Sequence, residues 1–407
     1  MRVRPSSPLR LVIALQGMIA GAPMAVAAPA APMDRIAIIP ATVSFDTSLQ
    51  ERWIPLAGPA SAPPIISILV NGQPVVALVD TGMPTTTVDR SWALRHAIPS
   101  QPCKSLGSLG GGVSPTEIGS LVALQIGGMR QSGGAVQIAD LSSLSRIAGI
   151  TIEGIVGADF LARHAVEIDF DNRRIRFRAS GAKPPQGERI PLDLRERGGR
   201  LLTMLEVGER RFAPVLIDTG DDSSLTITRA AWPDAASSLR LTDIAAVNLA
   251  GNIYITEIGR IDGVHLGDQN VDAVPVRFED KPLDAGDAAR IGAALLSRFN
   301  VFMDAGRGVM VLSPRLTSPS PAAVSMAGVQ GVWTDEGINI LHVMRGSPAH
   351  DAGLVTGDRI CTIDGQNATA AAQKGALGRW SQGPAGKRVV LVLCDGRTLT
   401  LILREFY

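Results

Sequence analysis

The sequence predicts a mainly β fold: two duplicated lobes related by a pseudo-two-fold axis, followed by a smaller α+β module. Three observations point there. Glycine (43) and proline (27) are plentiful while aromatic residues make up only 4%, a composition suited to strands joined by many tight turns. An internal repeat divides most of the chain into two long copies. Short apolar runs punctuated by Gly-Ser-Pro-Ala and Gly-Asp motifs occupy residues 326–407.

The 407 residues suffice for two or three ordinary domains, and 45% apolar against 19% charged residues fits globular packing. A formal net charge of +1 provides no field for nucleic acid or acidic lipid, and few aromatics are available for base stacking. At the N-terminus, Arg2, Arg4 and Arg10 precede the mostly apolar run Leu11 to Ala22 and the small-x-small site Ala25-Val26-Ala27. Residues 1–27 therefore read as a secretory signal, removed before Ala28. No later run reaches the ~18 apolar residues of a spanning helix. The expectation is an exported bacterial protein, periplasmic or secreted, with no stable membrane span once the signal is gone.

The remaining organisation follows from composition and repeat. Residues 28–62 form an extended N-terminal arm, 63–180 the first lobe, 181–192 a polar Pro- and Gly-bearing linker, and 193–314 the second lobe. Residues 315–325, with three prolines in the surrounding run, link to the module at 326–407.

Each copy of the repeat opens with a hairpin. Ile65 to Val70, the turn Asn71-Gly72 and Val75 to Val79 make the first; Leu201 to Val207, Gly208-Glu209 and Phe212 to Ile217 make the second. Both second strands run into Asp-Thr-Gly, at Asp80-Thr81-Gly82 and Asp218-Thr219-Gly220. Later landmarks stay in step. Gly127-Gly128 and Gly267-Asp268 lie 47 and 49 residues beyond the aspartates, and Gly157 and Gly292 lie 77 and 74 beyond. Asp169 and Asp304 follow at 89 and 86. These last two, with Asp171, read as turn residues before each closing strand.

A repeated Asp-Thr-Gly carries a specific chemistry. Two carboxyls held about 3 Å apart cannot both ionise, so they share a proton. The ionised member can take a proton from water while the protonated member polarises a carbonyl, and the two titrate as one coupled system. Glycine permits the tight loop and close approach, and the Thr81 and Thr219 hydroxyls can cross-link the two loops at a two-fold contact. No HExxH, GxSxG or CxxC pattern is present and the five histidines are scattered, so neither metal nor cofactor is expected. Cys361 and Cys394 could pair; three buried thiols, with Cys103, is the preferred reading.

The stretches ALVDTGMPTTTV and VLIDTGDDSSLTI resemble the active-site loops of aspartic proteases. IVGADFLARHAVEIDFDNRRIRF resembles the closing segment of bacterial retropepsin-like aspartyl proteases, and pepsin-like enzymes likewise carry two lobes in one chain. The resemblance implies a retropepsin-like pair of β lobes in a pepsin-like bilobal arrangement. It implies hydrolysis of peptide bonds by Asp80 and Asp218, with Thr81, Gly82, Thr219 and Gly220 supporting them. It also implies flaps, placed by position at Gly110, Gly111 and Gly112 and at Gly251 to Tyr254. The sequence departs from the pepsin-like pattern at Met83 and Asp221, where a hydroxyl residue is usual, and at Arg290, where an apolar residue precedes the glycine. Without those hydroxyls, and with Asp221 adding negative charge, the optimum should be less acidic than a digestive pepsin's.

Residues 326–407 resemble a bacterial PDZ domain through Gly346-Ser347-Pro348-Ala349, Ala352-Gly353-Leu354, Gly357-Asp358-Arg359-Ile360 and Ile363-Asp364-Gly365. That resemblance implies binding of an extended or C-terminal peptide at a sheet edge, with the carboxylate loop at Ala327, Gly328 and Val329. The expected protein is an exported aspartic endopeptidase whose PDZ module recruits or gates peptide substrate. A catalytically inactive peptide-binding scaffold is the second reading.

Overall fold

The computed structural model describes residues 36–407 except 47, 50, 59–61, 108–112, 195–198, 249–250, 281–285 and 317–324. The signal residues 1–27 and Gly110, Gly111 and Gly112 lie outside the described residues. Among those described, the chain is mainly β, and no helix is long and apolar enough to cross a membrane.

The opening hairpin forms where its turn chemistry demands. Asn71 and Gly72 take φ of 51° and 80°, the left-handed pair that a two-residue turn requires, and the Asn71 carboxamide accepts from the Val122 and Ala123 N–H groups. Ile65–Val70 and Gln73–Val79 pair on either side of it. The Gly154–Val156 strand then inserts beside Gln73–Val79 in parallel and beside Thr87–Asp89 antiparallel. Ala135–Ala139 lies parallel to Thr87–Asp89 and carries the outer Ser100–Gly107/Val113–Ser120 hairpin.

The second sheet has the same pairings. Ala289–Gly292 lies parallel to Arg210–Asp218 and antiparallel to Leu225–Thr228. Val274–Glu279 lies parallel to Leu225–Thr228 and carries the outer Thr242–Val247/Ile253–Ile261 hairpin. In each sheet, the strand that ends in the aspartate is thus held centrally by a short parallel neighbour.

A third sheet joins the two halves. His164–Asp169 pairs antiparallel with Phe299–Asp304, so one closing hairpin from each half meets the other. One apolar core runs through both halves, from Ile66 and Val79 to Ile217 and Ile291. Asp304, 1% exposed, accepts from Ser180 Oγ and the Gly181 N–H at 2.7 Å each. It is a buried clamp between the halves as well as a turn residue.

The connecting segments are more structured than their composition implied. In the 181–192 linker, Glu188–Pro191 is a strand of the third sheet, paired with Val309–Pro314. The N-terminal arm is likewise tied down: Thr42–Phe45 pairs with Met129–Ser132, and Ile54–Pro55 with the Arg174–Ala179 strand. Both segments cover strands that would otherwise present open backbone edges.

Residues 326–407 have a separate core around Ile338, Ile360, Trp380, Val389 and Leu401. The Val329–Thr334 strand forms one edge of its sheet and is followed by Gly337–Val343, Arg359–Ile363, Arg388–Leu393 and Thr398–Ile402. Pro348 opens a one-turn helix capped by Ser347, whose hydroxyl accepts from the His350 N–H.

The expectation of three buried thiols is corrected. Cys361, in the middle of the Arg359–Ile363 strand, and Cys394, just past the end of Arg388–Leu393, form a disulfide with Cα atoms 5.0 Å apart, and Cys103 is exposed with its Sγ 3.1 Å from Thr116 Oγ1. The bridge closes a 33-residue separation, for which loop-closure entropy gives about 3.5 kcal/mol. Replacing both cysteines by serine should lower the stability of this module by that order. Thermal unfolding with and without reductant checks it, and unchanged transitions in both comparisons would contradict it.

Candidate active site

The two Asp-Thr-Gly loops meet at the boundary between the two large sheets and hold each other. Val79 and Ile217, both fully buried, deliver the loops from the central strands. Thr81 Oγ1 donates to the Ile217 carbonyl at 2.6 Å and accepts the Thr219 N–H at 3.0 Å. Thr219 Oγ1 donates to the Val79 carbonyl at 2.7 Å and accepts the Thr81 N–H at 3.1 Å. Four buried hydrogen bonds therefore cross between segments 138 residues apart. Each hydroxyl uses its donor and one acceptor position, which a valine could not.

Each carboxylate is oriented by its own loop. Asp80 Oδ1 accepts from the Gly82 and Met83 N–H groups at 2.8 and 3.0 Å; Asp218 Oδ1 accepts from those of Gly220 and Asp221 at 3.0 and 3.1 Å. The two carboxyls lie within hydrogen-bonding reach of each other. They also explain the glycines. A Cβ on Gly82 would sit in the Asp218 carboxyl, and one on Gly220 in the Asp80 carboxyl. Both aspartates are 7% exposed, and burial pushes both carboxyls above the ordinary carboxylate range.

The surroundings of the two acids differ. On the Asp80 side, Met83 and Ile155 belong to an apolar cluster with Ile65, Leu78, Ala139, Leu141 and Ile152. Behind them, Asp159 accepts from the Thr86 N–H and hydroxyl at 2.9 and 2.7 Å, with burial raising its carboxyl. The Thr86 hydroxyl in turn accepts from the Gly157 N–H, bracing the loop.

On the Asp218 side stands a group of charges. Arg290, 8% exposed, places Nε 2.6 Å from Asp221 Oδ2 and 3.7 Å from Asp218 Oδ2, with Nη2 3.5 Å from Glu279 Oε1. Arg277 lies 3.9 Å from Asp221 and 3.3 Å from Asp222. Burial opposes ionisation of Asp221, but the Arg290 and Arg277 guanidiniums hold its carboxyl below the ordinary range. Burial raises Glu279 against the pull of Arg290. As expected, Asp221 disfavours ionisation of Asp218, but it is paired with a guanidinium that also faces Asp218 and opposes that effect.

Tyr254 lies on the Ile253–Ile261 strand of the outer hairpin, and its hydroxyl donates to Glu279 Oε1 at 3.2 Å. Gly251, at φ of 81°, lies in the hairpin tip, where a Cβ would meet Ser143 Oγ of the Ser142–Ala148 helix. The tip of a hairpin from the second sheet thus touches a helix from the first half. The sequence reading did not single out Glu279, Arg277 or Asp159. Their only signal is an acidic or basic residue inside an apolar strand or closing segment, which does not identify a partner.

The C-terminal module packs on this same hairpin. The Gln330 side chain bonds the free backbone edge of Thr242–Val247, donating to the Ala245 carbonyl at 3.0 Å and accepting its N–H at 2.7 Å. Thr242 Oγ1 donates to the Arg345 carbonyl, and the Arg345 N–H donates to Asp243 Oδ1 at 2.6 Å. Met344 and Phe406 bury Ile258 between them. Ala327 is fully buried in the module's own core. The Gly328 N–H donates to Ser325 Oγ at 2.9 Å, and Val329 begins the edge strand. A peptide carboxylate at this loop would have to replace the Ser325 hydroxyl.

Because the threonine cross-link is buried, Thr81→Val or Thr219→Val should cost about 2 to 4 kcal/mol by stranding backbone groups, whereas serine in either place should cost much less. Denaturant unfolding of the four variants checks this. Equal stability of the valine and serine variants would contradict the cross-link.

Comparison with known families agrees with this geometry at its two ends. Residues 66–160, including Asp80 and Gly157, match the family model for an aspartyl protease, and residues 340–395 match that for a PDZ domain. The aspartyl protease match stops before Asp218. A search of curated proteins found no match. The chain is thus a mainly β protein in which one segment matches an aspartyl protease domain and another matches a PDZ domain.

Proposed function

We propose that the chain is an exported aspartic endopeptidase in which Asp80 and Asp218 activate one water molecule between two duplicated lobes. The observation that carries this reading is the reciprocal locking of two Asp-Thr-Gly loops with their carboxyls facing each other. Loops that served only as strand ends would not require glycines opposite each other's acid.

In this reading the dyad holds one proton. The ionised carboxylate takes a proton from water as its oxygen attacks the scissile carbonyl carbon. The protonated carboxyl donates to the carbonyl oxygen, giving a neutral tetrahedral diol. The carboxyl that took the water proton then protonates the amide nitrogen while the other carboxylate takes a proton from one diol hydroxyl; the C–N bond breaks to give acid and amine, and one proton is left on the dyad. Neither a metal nor a covalent intermediate is required.

Asp80→Asn and Asp218→Asn should each reduce peptide cleavage by roughly 10²- to 10⁴-fold while retaining the fold. The pH profile should be bell-shaped. Its acid limb reports the first deprotonation of the pair, its alkaline limb loss of the shared proton, and burial moves both upward. Cleavage assays on a peptide library check both points. Full activity in either variant would contradict the dyad, and peptide affinity without cleavage in the wild type would favour the scaffold reading.

The PDZ module is proposed to gate the cleft, supported by its grip on the outer hairpin at Ala245, Asp243 and Ile258. A peptide added to the Val329–Thr334 edge would act on the strand whose Gln330 makes that grip. A free C-terminal peptide should change kcat/KM for a short substrate by about 5-fold or more. Gln330→Ala combined with Asp243→Ala should abolish the response. A response that survives the double variant would contradict gating through this hairpin.

A further inference from the structure

The groups flanking the two acids occupy corresponding places and have opposite chemistry. Met83 and Asp221 each follow an Asp-Thr-Gly, and each donates its backbone N–H to the preceding aspartate. Ile155 and Arg290 occupy matching positions on the short parallel strands, opposite Leu78 and Leu216 respectively. The first pair packs in the apolar cluster. The second is an ion pair with Arg290 facing the outer oxygen of Asp218.

The charged groups around Asp218 come from every neighbouring element. Asp80 faces it from the first sheet, Asp221 and the exposed Asp222 from its own loop, and Arg290 from the adjacent strand. Arg277 and Glu279 come from the Val274–Glu279 strand, and Tyr254 from the hairpin. Asp221 offsets part of the Arg290 charge, but among the described residues no guanidinium is paired with Asp80, whose flanking residues are Met83 and Ile155. A carboxylate beside a buried cation ionises in preference to one beside an apolar wall.

We infer that Arg290 is a positioning residue that breaks the symmetry of the dyad, fixing the negative charge on Asp218 and leaving the shared proton on Asp80. Asp221 and Glu279 hold the guanidinium in place for this role, and Tyr254 holds Glu279. Asp218 is then the base that takes the proton from water, and Asp80 the acid that donates to the carbonyl oxygen. This assignment rests on the proposed dyad and gives each aspartate its own part.

The test compares Arg290→Ile and Arg290→Lys with the double variant Arg290→Ile/Asp221→Met, which installs the Asp80-side pair and leaves no buried Asp221 charge alone. Removing the cation disfavours ionised Asp218, so the acid limb of the kcat/KM profile should move up by roughly 1 to 3 pH units in Arg290→Ile, and upward by less in the double variant, where loss of the Asp221 charge works the other way. Lysine should restore most of it. Carbon-13 carboxyl NMR, with the Asp218 signal assigned by its loss in Asp218→Asn, should show the same upward movement of that carboxyl. An Asp218 titration unchanged in folded Arg290→Ile as well as in the folded double variant would overturn the inference, whether or not the enzyme cuts. The NMR shift without cleavage by the wild type would sustain the inference on the carboxyl pair and remove the protease reading instead.

Discussion

The reciprocal hydrogen bonds of Thr81 and Thr219 are the constraint on which the site depends. They are short, buried and made between loops far apart in sequence, so they form only once both sheets are complete. By fixing each loop to the strand behind the other, they set the spacing of Asp80 and Asp218 without using either carboxylate. The acids are left with one oxygen held by the loop N–H groups and the other turned outward. In the proposed mechanism, desolvation, which would otherwise only penalise two buried acids, is the means by which they are brought to share a proton.

On that near-symmetric frame the two halves have diverged. The first sheet backs its aspartate with apolar side chains and braces the loop through Asp159 and Thr86. The second replaces the apolar backing with a guanidinium and carboxylates, and its outer hairpin supplies a tyrosine to them. The same hairpin is gripped on its free edge by the C-terminal module and touches the first half at its tip. Three parts of the molecule therefore converge on one two-stranded hairpin.

Much of this was legible in the sequence because it is written in local chemistry. Asn71-Gly72 marks a turn by the φ values it can adopt, and Asp-Thr-Gly after an apolar strand marks a loop that needs glycine. The capped helix at Ser347-Pro348 marks the C-terminal module in the same way. What was not legible depends on pairing across distance. Arg290 could be noticed as an oddity, but its partners lie 69 residues before it at Asp221 and 11 before it at Glu279, with no spacing rule to connect them. The strand at Glu188–Pro191 was hidden by a proline-rich surrounding and exists because Val309–Pro314 offers it an edge. The Cys361–Cys394 bridge likewise follows from the pairing of the Arg359–Ile363 and Arg388–Leu393 strands, which apolar composition alone does not reveal.

The central claim is that Asp80 and Asp218 hold a single proton between them at the pH where the protein works. Neutron diffraction from deuterium-exchanged crystals at that pH observes it directly. The account predicts one deuteron between the facing oxygens, carried by Asp80. Two bare carboxylates turned away from each other, or a deuteron on each acid with no contact between them, would contradict it.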